Sequence, residues 1–367
     1  MTTRRTTFRK FHERTGAALT SGLSMVSTMA LQLPFIRPSR MTRTASHLAG
    51  GPFTDDEVLL DAPDARLSPA LVAAARGDHG PAAVLLQATR AAAEWERRDR
   101  YVTRLAAFAR SRPEWLDAWL ATAPKDPDAL LVGAQLAVDR AWQSPARAEV
   151  LREVSPLITA AARGDQRDPV PWRLALDHAR GAQAGHKYFE ELWAAAVRRA
   201  PHHYGCHVAA LRYLATYWHG SHHECFDFAD RAAQDAPADA LVQALPLRAA
   251  FGYLTDGCGP EVPRERLDTA VDRAIALSPR LPAADPWPAR MRNLLIFVLV
   301  RLERWADARE QLRLNGPYAT SFPWDQVSDD PLHHFLRVRD DIRAGAAGRP
   351  SGHPRSERGG RVRSGDH

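Results

Sequence analysis

The chain has 367 residues, of which 45% are hydrophobic and 25% charged, with a formal net charge of +6. That is enough apolar material to bury the core of one long or two ordinary domains, and it excludes a wholly disordered chain. The basic excess sits in the flanks: residues 1–40 hold seven Lys or Arg against one Glu, and residues 344–367 hold five Arg against two acids. The body between them is slightly acidic, which argues against a basic groove for nucleic acid.

Residues 1–50 read as a basic N-terminal segment. "TRRTTFRKF" is similar to a twin-arginine (Tat-like) export signal with its Phe one place late, and residues 16–36 carry no charge. That uncharged stretch is rich in Gly, Ser and Thr and only mildly apolar, a poor membrane span. The composition favours an extended start, with the protein proper beginning near Met41 and residing in the cytoplasm; export is the alternative. Three cysteines, Cys206, Cys225 and Cys258, with no CxxC, argue against a disulfide framework and fit a reducing compartment.

From residue 54 onward the segments predict helices, with no period-2 alternation long enough for a sheet. Thr54 and Glu57 form a capping box, Ser68-Pro69 places a cap and an N1 proline ahead of "ALVAAAR", and Gly77 follows as a stop. Similar punctuation recurs at Pro113, Pro127, Pro145, Gly181, Pro201, Gly220, Pro237, Pro279 and Pro331. The run "LLIFVLV" (294–300) is too short to span a membrane and suits the most enclosed helix. Nine tryptophans, from Trp95 to Trp305, are spread along these helices as packing wedges are, rather than clustered as around a cofactor. After residue 343 the chain is Gly, Pro, Ser and Arg, a composition that predicts a disordered tail over 344–367.

Related junctions put prolines at 124, 169, 201, 237 and 279, spacings that bracket the lengths of helix-pair repeats. "LLVGAQL" (130–136), Tyr213 and "RLERWADAREQL" (301–312) carry the pattern further. Over about 65–315 these junctions resemble tetratricopeptide repeats (TPR), from which the spacing departs by its irregularity. The resemblance implies an all-α, TPR-like solenoid of antiparallel helix pairs over 51–343, with a concave groove. The central segment also resembles uncharacterised bacterial helical proteins, which implies no activity.

"APHHYGCHVAALRYLATYWHGSHHECFDF" (200–228) gathers six of the fifteen histidines and two cysteines. A structural zinc needs four ligands converging on one point. A helix running from Pro201 to the Gly220 region would hold residues 203 and 219 about 24 Å apart, so the two halves cannot share one ion. His203 and His207, at i and i+4, make a chelating pair by themselves; His219, His222, His223 and Cys225 lie in the following turn without HExxH spacing. The plain reading is turn and helix-start residues packed on Tyr204, Tyr217 and Trp218, with no metal and no cofactor.

Counting from Pro201 places Tyr204, His207, Leu211, Leu214 and Ala215 on the groove face of this helix, where aromatic and imidazole groups suit a peptide. No phosphate-binding glycine loop and no GxSxG or SxxK is present, and Cys258 has no neighbour in sequence to activate it. The expectation is a non-catalytic scaffold or regulatory protein holding a peptide or partner protein, with no nucleic acid and no membrane span. The alternative is a metal-dependent enzyme or metal-binding protein using residues 202–225.

Overall fold

A computed structural model describes residues 57–218 and 220–345. The basic head, the Thr54 cap, His219 and nearly all of the Arg-rich tail lie outside the described residues. Within them the protein is all-α: sixteen α-helices, two short 3-10 helices and one two-residue strand pairing. In chain order the helices are α1 (Ser68–Ala74), α2 (Gly80–Ala91), α3 (Trp95–Ser111), α4 (Glu114–Thr122), α5 (Pro127–Trp142) and α6 (Arg147–Ala162). Then come α7 (Val170–Gly181), α8 (His186–Arg199), α9 (Tyr204–Tyr213), α10 (His222–Asp235), α11 (Leu245–Asp256) and α12 (Arg264–Leu277). The last are α13 (Ala289–Arg301), α14 (Trp305–Asn315), α15 (Ser321–Trp324) and α16 (Pro331–Arg343).

Local chemistry sets the boundaries. The carboxylate of Asp126 caps α5, accepting the N–H groups of Asp128 and Ala129 ahead of Pro127 at N1, and Ser221 caps α10 through Glu224 N–H. At α1 the cap is not Ser68, as the sequence suggested, but Asp64, whose Oδ1 accepts the N–H groups of Arg66 and Leu67. Tyr101 adds its hydroxyl to the same carboxylate at 2.9 Å, so Asp64 holds the helix start against α3.

Each odd-numbered helix from α3 to α13 packs on the next odd one, and the even helices join their sequence neighbours; α3 also reaches α7 and α9. The helices do not build a TPR-like repeat. Their lengths run from 4 to 17 residues. Gly133, the residue resembling the close-packing glycine of that family, would seat a methyl group at ordinary contact distance, 3.6 Å from Leu120 Cδ1. The close approach that the family makes at that step is absent here.

Two apolar cores result. One gathers Leu67 to Leu174, with Trp115 and Trp119 fully buried; the other gathers Leu176 to Ile342 around α13, which is buried continuously from Met291 to Leu299. The first core contains a salt-bridge triad. Arg98, 1% exposed, donates to Asp168 and Asp128 at 2.6 Å each and to the Leu86 carbonyl at 2.9 Å, so every charge is met inside.

The ends of this layout meet. Leu59–Leu60 (β1) pairs in parallel with Tyr318–Ala319 (β2), and Asp61 accepts the backbone N–H and hydroxyl of Ser321. Arg100 of α3 donates to the carbonyls of Pro286 and Trp287 at 2.8 and 2.9 Å, and Arg97 lies over the Trp287 ring. Helix α3 thus touches α7 and α9 as well as the loop before α13.

Candidate functional site: an arginine-lined concavity

Helix α9 is shorter than its sequence suggested, ending at Tyr213. Of the five residues expected on its groove face, His207, Leu211 and Leu214 are buried. The His207 Nδ1–H donates to the His203 carbonyl at 2.9 Å, and its ring meets Trp193 edge-on at 5.0 Å. The i, i+4, i+7 stripe through these three is the one that packs into the second core. The stripe that keeps solvent contact is Tyr204, Val208, Arg212 and Ala215. Tyr204 and Ala215 therefore remain on the accessible side, joined by a residue the sequence reading passed over, Arg212.

The imidazole and thiol groups fall into separate places: His203 Nδ1 lies 3.2 Å from the Cys206 thiol, with His203 Nε2 turned toward Asp99 and Glu96, while His222 and Cys225 bond to other elements. His203 caps α9 with Nδ1, 3.3 Å from the Cys206 N–H. His222 donates from Nε2 to the Cys258 carbonyl at 2.9 Å and packs edge-on against Tyr253, while His223 is exposed. Cys225 donates its thiol to the Leu214 carbonyl at 3.3 Å, and burial pushes that thiol up to about 12. Among the described residues no three His, Cys, Asp or Glu side chains are arranged to hold a metal ion. His222 and Cys225 thus bond to the carbonyls of a loop and a helix end.

The concavity has chemistry of another kind. A polar recess of about 290 Å³ opens between α5, α7 and α9, lined by Gln135, Asp139, Asp177, Arg180 and Arg212, with Arg110 at its edge. Burial alone would raise the Asp177 carboxyl, but Arg212, Arg180 and Arg173 surround it and hold it below the usual range. Arg180 lies over Trp142 at 4.1 Å and Trp218 at 5.3 Å, two indoles that meet edge to face. Arg173 binds Asp99 at 2.7 Å and Gln135 at 2.6 Å. Asp99 comes this close because residue 205 is glycine: a Cβ there would lie 2.1 Å from Asp99 Oδ2.

Beside Arg212 stand Arg248 of α11 and Arg290 of α13. Their guanidinium carbons lie 4.0 and 5.1 Å from the centroid of one ring, Phe322. Neither forms an ion pair or a hydrogen bond among the described residues. Burial, then repulsion from Arg212, pushes Arg248 down to about 9; Arg290 keeps solvent contact, and the surrounding protein together with Arg212 lowers it too. The contrast is with Arg292, one turn from Arg290's own helix start. It is equally without a carboxylate, yet it donates to Ser278 Oγ and to the carbonyls of Ser278, Leu281, Pro282 and Leu314. Arg292 is satisfied by the fold; Arg248 and Arg290 are not. Tyr204 completes this corner, its phenol kept protonated by burial.

A signal for these residues was present in the sequence. Eleven positions after each junction proline, Pro124, Pro169, Pro201, Pro237 and Pro279, stand Gln135, Arg180, Arg212, Arg248 and Arg290. The first three line the recess and the last two adjoin Arg212.

No protein-family model, no curated protein and no solved structure matches the chain. Among the described residues no helix is long and apolar enough to cross a membrane.

Proposed function

We propose that the chain is a non-catalytic binding protein, a solenoid of helix pairs whose odd-numbered helices line a concave groove for a segment of a partner polypeptide. The alternating packing of α3, α5, α7, α9, α11 and α13, and the return of α3 to α9, support the solenoid reading. One observation carries the functional reading: two guanidiniums without counter-ions among the described residues, Arg248 and Arg290, the latter exposed, lie over one aromatic ring, Phe322. Clefts that collect uncompensated charge of one sign, next to flat apolar rings, suit a ligand that supplies the opposite charge and stacks. The metal-dependent alternative draws no support from His222 and Cys225, whose polar atoms already hold backbone carbonyls.

The test uses Tyr217, which is 65% exposed and stands 6.3 Å from the Trp218 ring that Arg180 covers. A photo-reactive phenylalanine analogue placed at 217 is expected to crosslink one polypeptide in a lysate of the source cells. The same group at Val84, 66% exposed on α2, is expected not to capture it. Equal capture at both positions, or none at 217, would overturn the reading.

A further inference from the structure

We propose that Arg212, Arg248 and Arg290 form a seat for a phosphoryl group, a phosphate monoester carried by the ligand. The proposal rests on the binding reading above and gives it a chemistry. Arg248 of α11 and Arg290 of α13 hold their guanidinium carbons 4.0 and 5.1 Å from the centroid of the Phe322 ring, and Arg212 of α9 disfavours the charge of both. Arg212 shares a carboxylate, Asp177, at 3.8 Å, but that carboxylate also serves Arg173 and Arg180. Arg248 and Arg290 share the face of Phe322, Arg248 also lies 5.3 Å from the Phe251 ring centroid, and Arg290 reaches water, so the seat is open.

The stoichiometry of charge selects the ligand. A carboxylate brings one negative charge and two oxygens. A phosphate monoester brings a charge of about −1.5 to −2 at neutral pH and three terminal oxygens, enough to take donors from three guanidiniums at once. Guanidinium forks match that geometry better than any other side chain. Asp61 and Asp325, the carboxylates that act on Arg290 over longer range, form no ion pair with it and leave its inner face to the ligand.

Two sources can present the group, a phosphorylated side chain of the partner polypeptide or a small phosphorylated molecule. The experiment is calorimetric titration of the full chain with three probes at matched ionic strength: inorganic phosphate, a capped phosphoserine peptide, and acetate. Phosphate or the phosphopeptide is expected to bind saturably, with acetate weaker by about tenfold or more. Arg290→Gln and Arg248→Gln are each expected to weaken binding by about tenfold, the loss of one charge-assisted contact. Because Arg290 is exposed, its replacement leaves the core closed, and an unchanged circular-dichroism melt verifies that.

Tighter binding of the phosphopeptide than of inorganic phosphate assigns the group to a polypeptide; equal binding assigns it to a small molecule. Acetate binding as well as phosphate, or phosphate binding that survives both substitutions, overturns the seat. Crosslinking at 217 without phosphate binding would leave the groove reading standing and end this one. Phosphate binding without any crosslinked polypeptide would do the reverse.

Discussion

Position 205 shows how a single missing side chain organises the site. Without a Cβ there, Asp99 moves in against α9, and from that place it binds Arg173 through two nitrogens. Gly205→Ala is therefore expected to displace Asp99, remove the nearer of the two carboxylates paired with the buried Arg173 guanidinium and destabilise the protein by about 3 kcal/mol. Gly133→Ala, with 3.6 Å to spare, is expected to be neutral or slightly stabilising, since alanine suits a helix interior better. Urea denaturation of the two variants measures the difference; equal stabilities would show that the contact at 205 carries no weight. Nothing in the sequence ranks these two glycines, because what distinguishes them is the approach of α3, more than ninety residues away in the chain. The arginine ladder differs: its constant offset from the prolines is legible, and it was missed because Arg on a helix ordinarily reads as a solvated face.

At the scale of elements, the proline and glycine punctuation marked most boundaries, since N1 prolines and helix stops act through the local backbone alone. Pro127 and Pro331 open α5 and α16, and Gly181 ends α7. Orientation was less legible. Helix α9 has two stripes of similar composition, and only the packing of Trp193 and Phe228 against His207 turns one of them inward. The two-residue strands were invisible to any pattern, being too short to alternate. The β1–β2 clasp depends on Asp61, which accepts two bonds from Ser321 and faces Arg104. Asp61→Ala is expected to free this clasp locally. Hydrogen exchange should speed up at residues 59–61 and 317–321 while the helices of either core stay protected; protection unchanged at 317–321 would assign the clasp to the backbone pairing alone.

Across the whole molecule the two apolar cores are joined by α7, whose Leu174 belongs to the first and Leu176 to the second. Both are fully buried, so the same helix cannot leave one core and stay in the other. The cores are expected to melt together. Trp115 and Trp119 report the first and Trp324 the second, and single-tryptophan variants should give coincident denaturation curves. Leu176→Ala should lower both midpoints, by about 2–5 kcal/mol in stability. Two separate transitions would show the cores to be independent domains. The sequence alone suggested one long or two ordinary domains, and the seam at α7 is a matter of tertiary packing that no local pattern records.

The pairing of residues 59–60 with 318–319 also has a consequence for biogenesis. Asp61 leaves the ribosome some 260 residues before Ser321, its partner. Helices α1 to α14 can condense on their neighbours as they emerge, since their contacts are mostly local, but the clasp has to wait for nearly the whole chain. The recess between α5, α7 and α9 can thus form early, whereas the clasp, and with it the Phe322 ring beneath Arg248 and Arg290, is added only near the end of the protein's own synthesis.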